Sequence, residues 1–89
     1  MGEAYGIAAY RSRQQVLMLE SALRREGVSV NVVTTPREVS MGCGLSARFA
    51  LSDAERVKRA VRSMNTSNLI GLYRVEYAGG RTKLSPLRA

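Results

Sequence analysis

The stretch VSVNVVTTPREVSMGCGLSARFAL, residues 28–51, contains two runs of alternating apolar residues joined by a loop that holds a proline and two glycines. Alternation with a period of two is typical of strands that bury one face. Pro36 has no backbone N–H, so it ends the first run as a ladder element. We therefore predict an antiparallel hairpin with residues 36–44 at its tip. The alternating apolar positions are Val28, Val30 and Val32, then Leu45, Ala47, Phe49 and Leu51.

Helical patterns lie on both sides of this hairpin. Ser12 and Gln15 form a capping box before a helix with apolar residues at helical spacing, and Gly27 ends that helix. After the hairpin, Ser52 and Glu55 form a second capping box. The apolar stripe of the second helix comprises Val57, Ala60, Val61 and Met64.

Two further strands complete the pattern, at residues 5–10 and 69–77. The order strand-helix-strand-strand-helix-strand is the split βαβ, or ferredoxin-like, arrangement. It predicts an α+β fold in which a four-stranded antiparallel sheet carries two helices on one face. We expect a single domain over residues 1–78. Residues 79–89 begin with two glycines and show no periodicity, so they are predicted to form a flexible basic C-terminal tail.

The chain has 89 residues, 45% of them hydrophobic, which suits one folded core. No apolar run is long enough to cross a bilayer, and the N-terminus lacks the basic flank and apolar stretch of a signal peptide. A single cysteine forms no internal disulfide and suits a reducing compartment. We therefore expect a cytoplasmic protein without membrane contact.

The charge balance is strongly basic. Fourteen Lys and Arg residues against seven Asp and Glu give a net charge of +7. Arginine binds planar and phosphorylated anions through paired hydrogen bonds, which favours an acidic protein partner or RNA. A solvated helix face is the favoured interpretation of the basic residues near the second helix, because Lys and Arg usually lie outside. The basic residues in or near the second helix are Arg48, Arg56, Lys58, Arg59 and Arg62.

Cys43 is the only cysteine, and the chain has no histidine. Serine and threonine need an adjacent base to act as nucleophiles, so the composition excludes most hydrolytic triads, and it excludes most zinc sites as well. A thiol reacts as its thiolate, which nearby cations stabilise. Gly42 and Gly44 leave the sulfur uncovered by adjacent side chains, and Arg37 and Arg48 are close in sequence. The alternative is a small buried core residue, as free cysteines often are.

A specific motif surrounds this cysteine. The run TPREVS at residues 35–40 is followed by CGL at 43–45 and RF at 48–49. This pattern resembles the family of small proteins described as selenium/sulfur carrier proteins, otherwise known as a domain of unknown function. The resemblance extends from about residue 5 to residue 73.

The resemblance implies a carrier that holds sulfur or selenium on Cys43 as a persulfide or selenosulfide. It implies a sulfur or selenium donor, such as a cysteine desulfurase, and an acceptor protein. We expect no cofactor, no metal and no enzymatic turnover. The strongly basic balance and residues 79–89 depart from the family's usual pattern.

We predict a role at the site for two arginines and none for two nearby carboxylates. Arg37 and Arg48 are predicted to form a cationic clamp on the thiolate, so replacing either by glutamine should slow persulfide formation at Cys43. Asp53 and Glu55 lie in the first turn of a helix, where carboxylates complement the helix dipole, so we do not assign them acid–base chemistry.

The main alternative function is a non-catalytic interaction or regulatory module that binds an acidic protein or RNA through its arginines. A thiol-dependent enzyme is disfavoured because the usual base is missing. The uncovered face of a four-stranded sheet also permits a homodimer. Strand tyrosines suit packing or such a dimer surface better than base stacking; they are Tyr5, Tyr10, Tyr73 and Tyr77.

Overall fold

The computed structural model describes residues 3–37, 39, 44–64 and 67–87. Within these residues, five strands form one sheet in the order β2-β3-β1-β4-β5, and every neighbouring pair is antiparallel. A short 3-10 turn precedes the second helix. The elements are β1 Glu3–Tyr10, α1 Arg13–Arg25, β2 Val30–Thr34, β3 Leu45–Phe49, the turn Leu51–Asp53, α2 Ala54–Ser63, β4 Leu69–Ala78 and β5 Arg81–Pro86.

The prediction of an α+β fold with two helices is confirmed, and the prediction of four strands is wrong. Gly79 and Gly80 adopt φ values of +59° and +75°, the left-handed region that a two-residue hairpin turn requires. This turn reverses the chain and pairs β5 with β4 from Ala78↔Arg81 to Tyr73↔Pro86. The segment expected as a tail therefore contains a strand, and the four-stranded ferredoxin-like interpretation does not describe the whole sheet.

The two helices begin differently. At the start of α1, the Gln15 N–H donates to Ser12 Oγ at 3.4 Å, and Gly27, at a φ of +80°, follows the helix end, as predicted. The predicted capping box at Ser52 is wrong. Residues 51–53 form the 3-10 turn, and Asp53 occupies the N-cap position without a side-chain hydrogen bond. The chain enters α2 through a tighter turn, which displaces the start of the α-helix to Ala54.

One face of the sheet packs against both helices. Ala8, Tyr10 and Phe49 lie in the same buried cluster as Leu19 of α1 and Val57 of α2. Apolar surface removed from water stabilises the fold by about 25 cal/mol per Å². This cluster holds β1, β3 and both helices in place, and it fixes the end of the sheet where β2 and β3 are joined.

The opposite face of the sheet carries the alternate residues of each strand. Tyr5 and Ile7 lie on it, and the partners of Ile7 in register are Arg48 on β3 and Tyr73 on β4. Ile7 is only 1% exposed, so the larger side chains around it cover this face in part. Tyr77, on the same face, is 53% exposed. Among the described residues no helix is long and apolar enough to cross a membrane.

Candidate functional site

The loop between β2 and β3 is closed at its base by a backbone hydrogen bond. The Thr35 N–H donates to the Gly44 carbonyl at 2.9 Å, one step beyond Thr34↔Leu45, the last pair of the ladder. The predicted hairpin is therefore present, with residues 36–43 between the two closing residues. Thr35 and Gly44, together with Ser46 of β3, are called the loop base below.

The loop base also contains a buried pair of hydroxyl groups. Thr35 Oγ1 and Ser46 Oγ are 2.7 Å apart, and these residues are 4% and 0% exposed. A buried hydroxyl without a partner costs free energy, so each of these groups satisfies the other. From the sequence alone, Thr35 is typical of a turn residue that bonds its local backbone, and alternation along β3 directs Ser46 away from the helices. The cross-strand bond between them was missed.

Gly44 is packed closely against the Thr35 side chain. A Cβ built at this position would lie 3.1 Å from Thr35 Oγ1, 3.4 Å from Thr35 Cβ and 3.6 Å from the Tyr10 carbonyl oxygen. A methyl group there would press on the hydroxyl that bonds Ser46. Glycine at 44 therefore lets β3 approach β1 and β2 at the point where the loop rejoins the sheet.

The first part of the loop is a turn. The Val39 N–H donates to the Pro36 carbonyl at 3.0 Å, which is the hydrogen bond of a four-residue turn. Arg37 occupies the second position of this turn and is exposed. Cys43 and Gly42, the centre of the sequence prediction, lie outside the described residues. Accessibility and ionisation of the thiol therefore stay predictions.

The structure separates Arg48 from the loop base. Its guanidinium carbon lies 4.0 Å from the centroid of the Tyr5 ring, a cation–π contact. Residue 48 is four positions along the chain from Gly44 in the sequence, which corresponds to about 13 Å of strand. Tyr5 belongs to the end of β1 that lies away from the loop base. Arg48 and Tyr5 line a shallow groove there, together with Ser29 and Asn31.

Most of the charged side chains on α2 are exposed. Lys58 Nζ and Glu55 Oε2 form an ion pair at 3.2 Å on α2. Arg56, Arg59 and Arg62 are exposed, as a solvated helix face requires. No group of three or more His, Cys, Asp or Glu side chains comes together within the described ranges in a way that could hold a metal ion.

Tyr10 contributes its carbonyl to the packing around Gly44, while its ring lies in the core. Its hydroxyl is buried and has no hydrogen-bond partner among the described residues, and this burial raises the pKa of Tyr10 above 10.0. Burial of this hydroxyl costs desolvation free energy, and no hydrogen bond from the described residues offsets that cost.

Replacing Tyr10 with phenylalanine is therefore expected to leave the free energy of unfolding unchanged or to raise it by about 1 kcal/mol, because the uncompensated hydroxyl is removed. A raised folded-state pKa also means that Tyr10 ionises more readily in the unfolded chain, so its contribution to stability is lost as pH rises above 10. Urea unfolding at pH 7 and pH 10.5 checks both statements. A variant that is clearly less stable at pH 7 would contradict the first.

These features define a class: a small α+β domain whose one cysteine is carried on a hairpin loop closed by a buried hydroxyl pair. A family model described as "Putative Se/S carrier protein-like" matches residues 5–70, about three quarters of the chain. The chain belongs to this family. No curated protein and no solved structure matches it.

Proposed function

We propose that the protein carries sulfur, or selenium, on Cys43 and hands it to an acceptor protein. The observation that carries this proposal is membership of the Se/S carrier protein-like family over a segment that contains the only cysteine of the chain. A carrier needs a nucleophilic sulfur on a part of the surface that another protein can reach. A hairpin loop at one end of a rigid sheet suits that requirement.

The transfer requires only a thiolate and a persulfide. The Cys43 thiolate attacks the outer sulfur of a donor persulfide, R–S–SH, and a new S–S bond forms as the S–S bond of the donor breaks. The donor leaves as R–S⁻ and takes up a proton from water, while Cys43 becomes a persulfide. The acceptor thiolate repeats the same displacement on Cys43, so no oxidant or reductant is consumed. A selenosulfide forms and breaks by the corresponding steps.

The residues around Cys43 favour its ionised form in this proposal. Arg37 is exposed in the turn that follows the loop base. We propose that the backbone N–H groups of Gly42 and Gly44 also contribute, because backbone amides in a loop can bind anions. Arg48 is held by Tyr5 at 4.0 Å, so we propose Arg37 as the principal cation and Arg48 as a more distant one.

Replacing Arg37 with glutamine is expected to slow persulfide formation on Cys43 severalfold, because a nearby cation stabilises the attacking thiolate. The matched variant Arg48→Gln should load within about twofold of the wild-type rate and lose about 0.5–1 kcal/mol of stability through its contact with Tyr5. Rates come from quenched samples analysed by intact mass. Equal loading rates for Arg37→Gln and wild type would show that Arg37 does not stabilise the thiolate of Cys43.

The test of the proposed function is the fate of Cys43 in the presence of a sulfur donor. The purified protein is incubated with a cysteine desulfurase and cysteine, and its intact mass is measured before and after addition of a reducing agent. The expected result is a gain of one sulfur atom that the reductant removes. An unchanged mass, with the desulfurase shown to be active on cysteine, would contradict the carrier function.

A further inference from the structure

The two edge strands of the sheet are β2 and β5. The hydrogen bonds at the ends of these strands show which of their backbone N–H and C=O groups point away from the sheet. In an antiparallel ladder, successive residues alternate between bonding the neighbouring strand and pointing away from it. Thr35 bonds Gly44, so Val33 and Asn31 also bond β3, and the residues between them point outward. The outward residues of β2 are therefore Val30, Val32 and Thr34.

This assignment is supported by an independent contact. Arg24 of α1 donates from Nη2 to the Val30 carbonyl at 3.2 Å, which requires that carbonyl to face away from β3. Arg24 thereby occupies the edge at the end of β2 that is far from the loop base. The N–H and C=O groups of Val32 and Thr34 receive no such contact from the described residues. The open part of this edge lies directly beside the loop base.

The other edge strand is protected by its own sequence. The Leu87 N–H donates to the Leu72 carbonyl at 2.8 Å, so Pro86 occupies an outward position. Proline offers no N–H there, and charged residues also oppose pairing of an edge with another strand. Arg81 and Lys83 supply such charges on β5. By contrast, the sequence of β2, VNVVT, contains no charge and no proline.

We propose that the open edge of β2 docks an extended segment of the protein that donates sulfur to Cys43. This inference rests on the proposed function. A strand that pairs with Val32 and Thr34 ends beside Thr35, so the donor's persulfide can approach the cysteine loop while the backbone pairing fixes its orientation. Strand addition at a sheet edge supplies affinity through main-chain hydrogen bonds and leaves the loop free.

The charges near this edge select the chemistry of the docked segment. Arg37 is exposed beyond the loop end of the edge, whereas Arg24 at the other end is paired with Glu20 at 3.2 Å. A segment with an uncharged centre and an acidic residue at the loop end is therefore complementary. A second copy of the chain would place these arginines opposite each other and would bring together two molecules of charge +7. A contact limited to five-residue strands is smaller than the roughly 1,200 Å² of a stable interface, so it suits a transient encounter of carrier and donor and not a permanent dimer.

The test uses an edge variant and a matched control. Thr34→Pro removes an outward N–H from β2, and Thr82→Pro makes the same change at an outward position of β5; both threonines are exposed. Loading of Cys43 is measured with two donors, a cysteine desulfurase charged with cysteine and the small molecule glutathione persulfide. We expect Thr34→Pro to lower loading by the desulfurase about tenfold, the equivalent of about 1.4 kcal/mol. Loading by glutathione persulfide, and both reactions of Thr82→Pro, should be unchanged.

A second pair of variants covers a failure of Thr34→Pro to fold. Thr34→Asp and Thr82→Asp each add one negative charge to an edge strand, and only the first should repel an acidic segment. Amide hydrogen exchange gives a direct readout, because the N–H groups of Val32 and Thr34 should exchange more slowly when the desulfurase is added. The amide of Val33, which bonds β3, should change little.

The outcomes separate the two proposals. Desulfurase loading that is equal in wild type and Thr34→Pro, or that falls equally with both donors, would overturn the docking inference while leaving the carrier function standing. Protection of Val32 and Thr34 that appears without the donor and grows with protein concentration would identify a second copy as the occupant and overturn the donor assignment. Wild-type protein that gains no sulfur from either donor would overturn the carrier function, and the docking inference with it.

Discussion

Replacement of Cys43 by serine is expected to abolish sulfur loading, which is the largest effect predicted for any substitution in this chain. The hydroxyl of serine is a poor nucleophile at neutral pH unless a base activates it, and the usual base is absent because the chain has no histidine. No second cysteine replaces the lost thiol. Loading by a cysteine desulfurase and cysteine should therefore fall to the background of a reaction without donor.

Two controls make this result interpretable. The proposed function requires an exposed Cys43, so thermal unfolding of Cys43→Ser should follow the wild-type curve. Alkylation before incubation with the donor should block loading of the wild-type protein to the same extent. Sulfur that still appears on Cys43→Ser and is removed by a reductant would assign the transfer to another group and contradict the proposed function.

The parts of the fold that follow from local patterns were predictable. Alternation of apolar residues around residues 36–44 gave the β2–β3 hairpin, because a one-face strand must repeat every second residue. The cap at Ser12 and the glycine at 27 located α1, because each satisfies a local backbone requirement. In both cases the conformation is determined by a few residues that are close together in the sequence, so it can be predicted from the sequence alone.

Two features of the fold were not predicted, each for its own reason. One is a strand whose turn was misinterpreted, and the other is a contact between distant segments of the chain. The pair Gly79 and Gly80 is typical of a hairpin turn and was interpreted as a joint, so β5 was not predicted. The contact of Arg48 with Tyr5 brings together β3 and the start of β1. Strand alternation correctly directs Arg48 away from the helices, but it does not say which neighbour the guanidinium meets.

Ser46 shows the same limit at the site itself. Its position in β3 is outward by alternation, and polar residues at such positions are usually solvated. It is buried because Thr35 reaches it from the other side of the loop, a contact that requires the register of β2 against β3. The register could have been inferred from the hairpin, and would then have placed two hydroxyl residues next to each other at the loop base.

The buried hydroxyl pair provides the second large prediction. Ser46→Ala leaves Thr35 Oγ1 buried without its partner, and Thr35→Val does the same to Ser46 Oγ. Each single substitution is expected to lower the free energy of unfolding by about 1–3 kcal/mol, the cost of an unsatisfied buried polar group. The double variant should be less destabilised than the sum of the two, because no orphaned hydroxyl remains. Thr34→Val, at the neighbouring exposed threonine, should stay within about 0.5 kcal/mol of wild type.

This cycle also tests whether the loop base serves the carrier site. If the base fixes the two ends of the loop, the single variants should load Cys43 more slowly than wild type even at temperatures where they are fully folded, and the double variant should recover part of that rate. Urea unfolding gives the four free energies, and intact mass after timed donor incubation gives the four rates. Additive free energies would show that the hydroxyls do not act as a pair. Coupled free energies with unchanged loading rates would show that the pair stabilises the hairpin without positioning the cysteine loop.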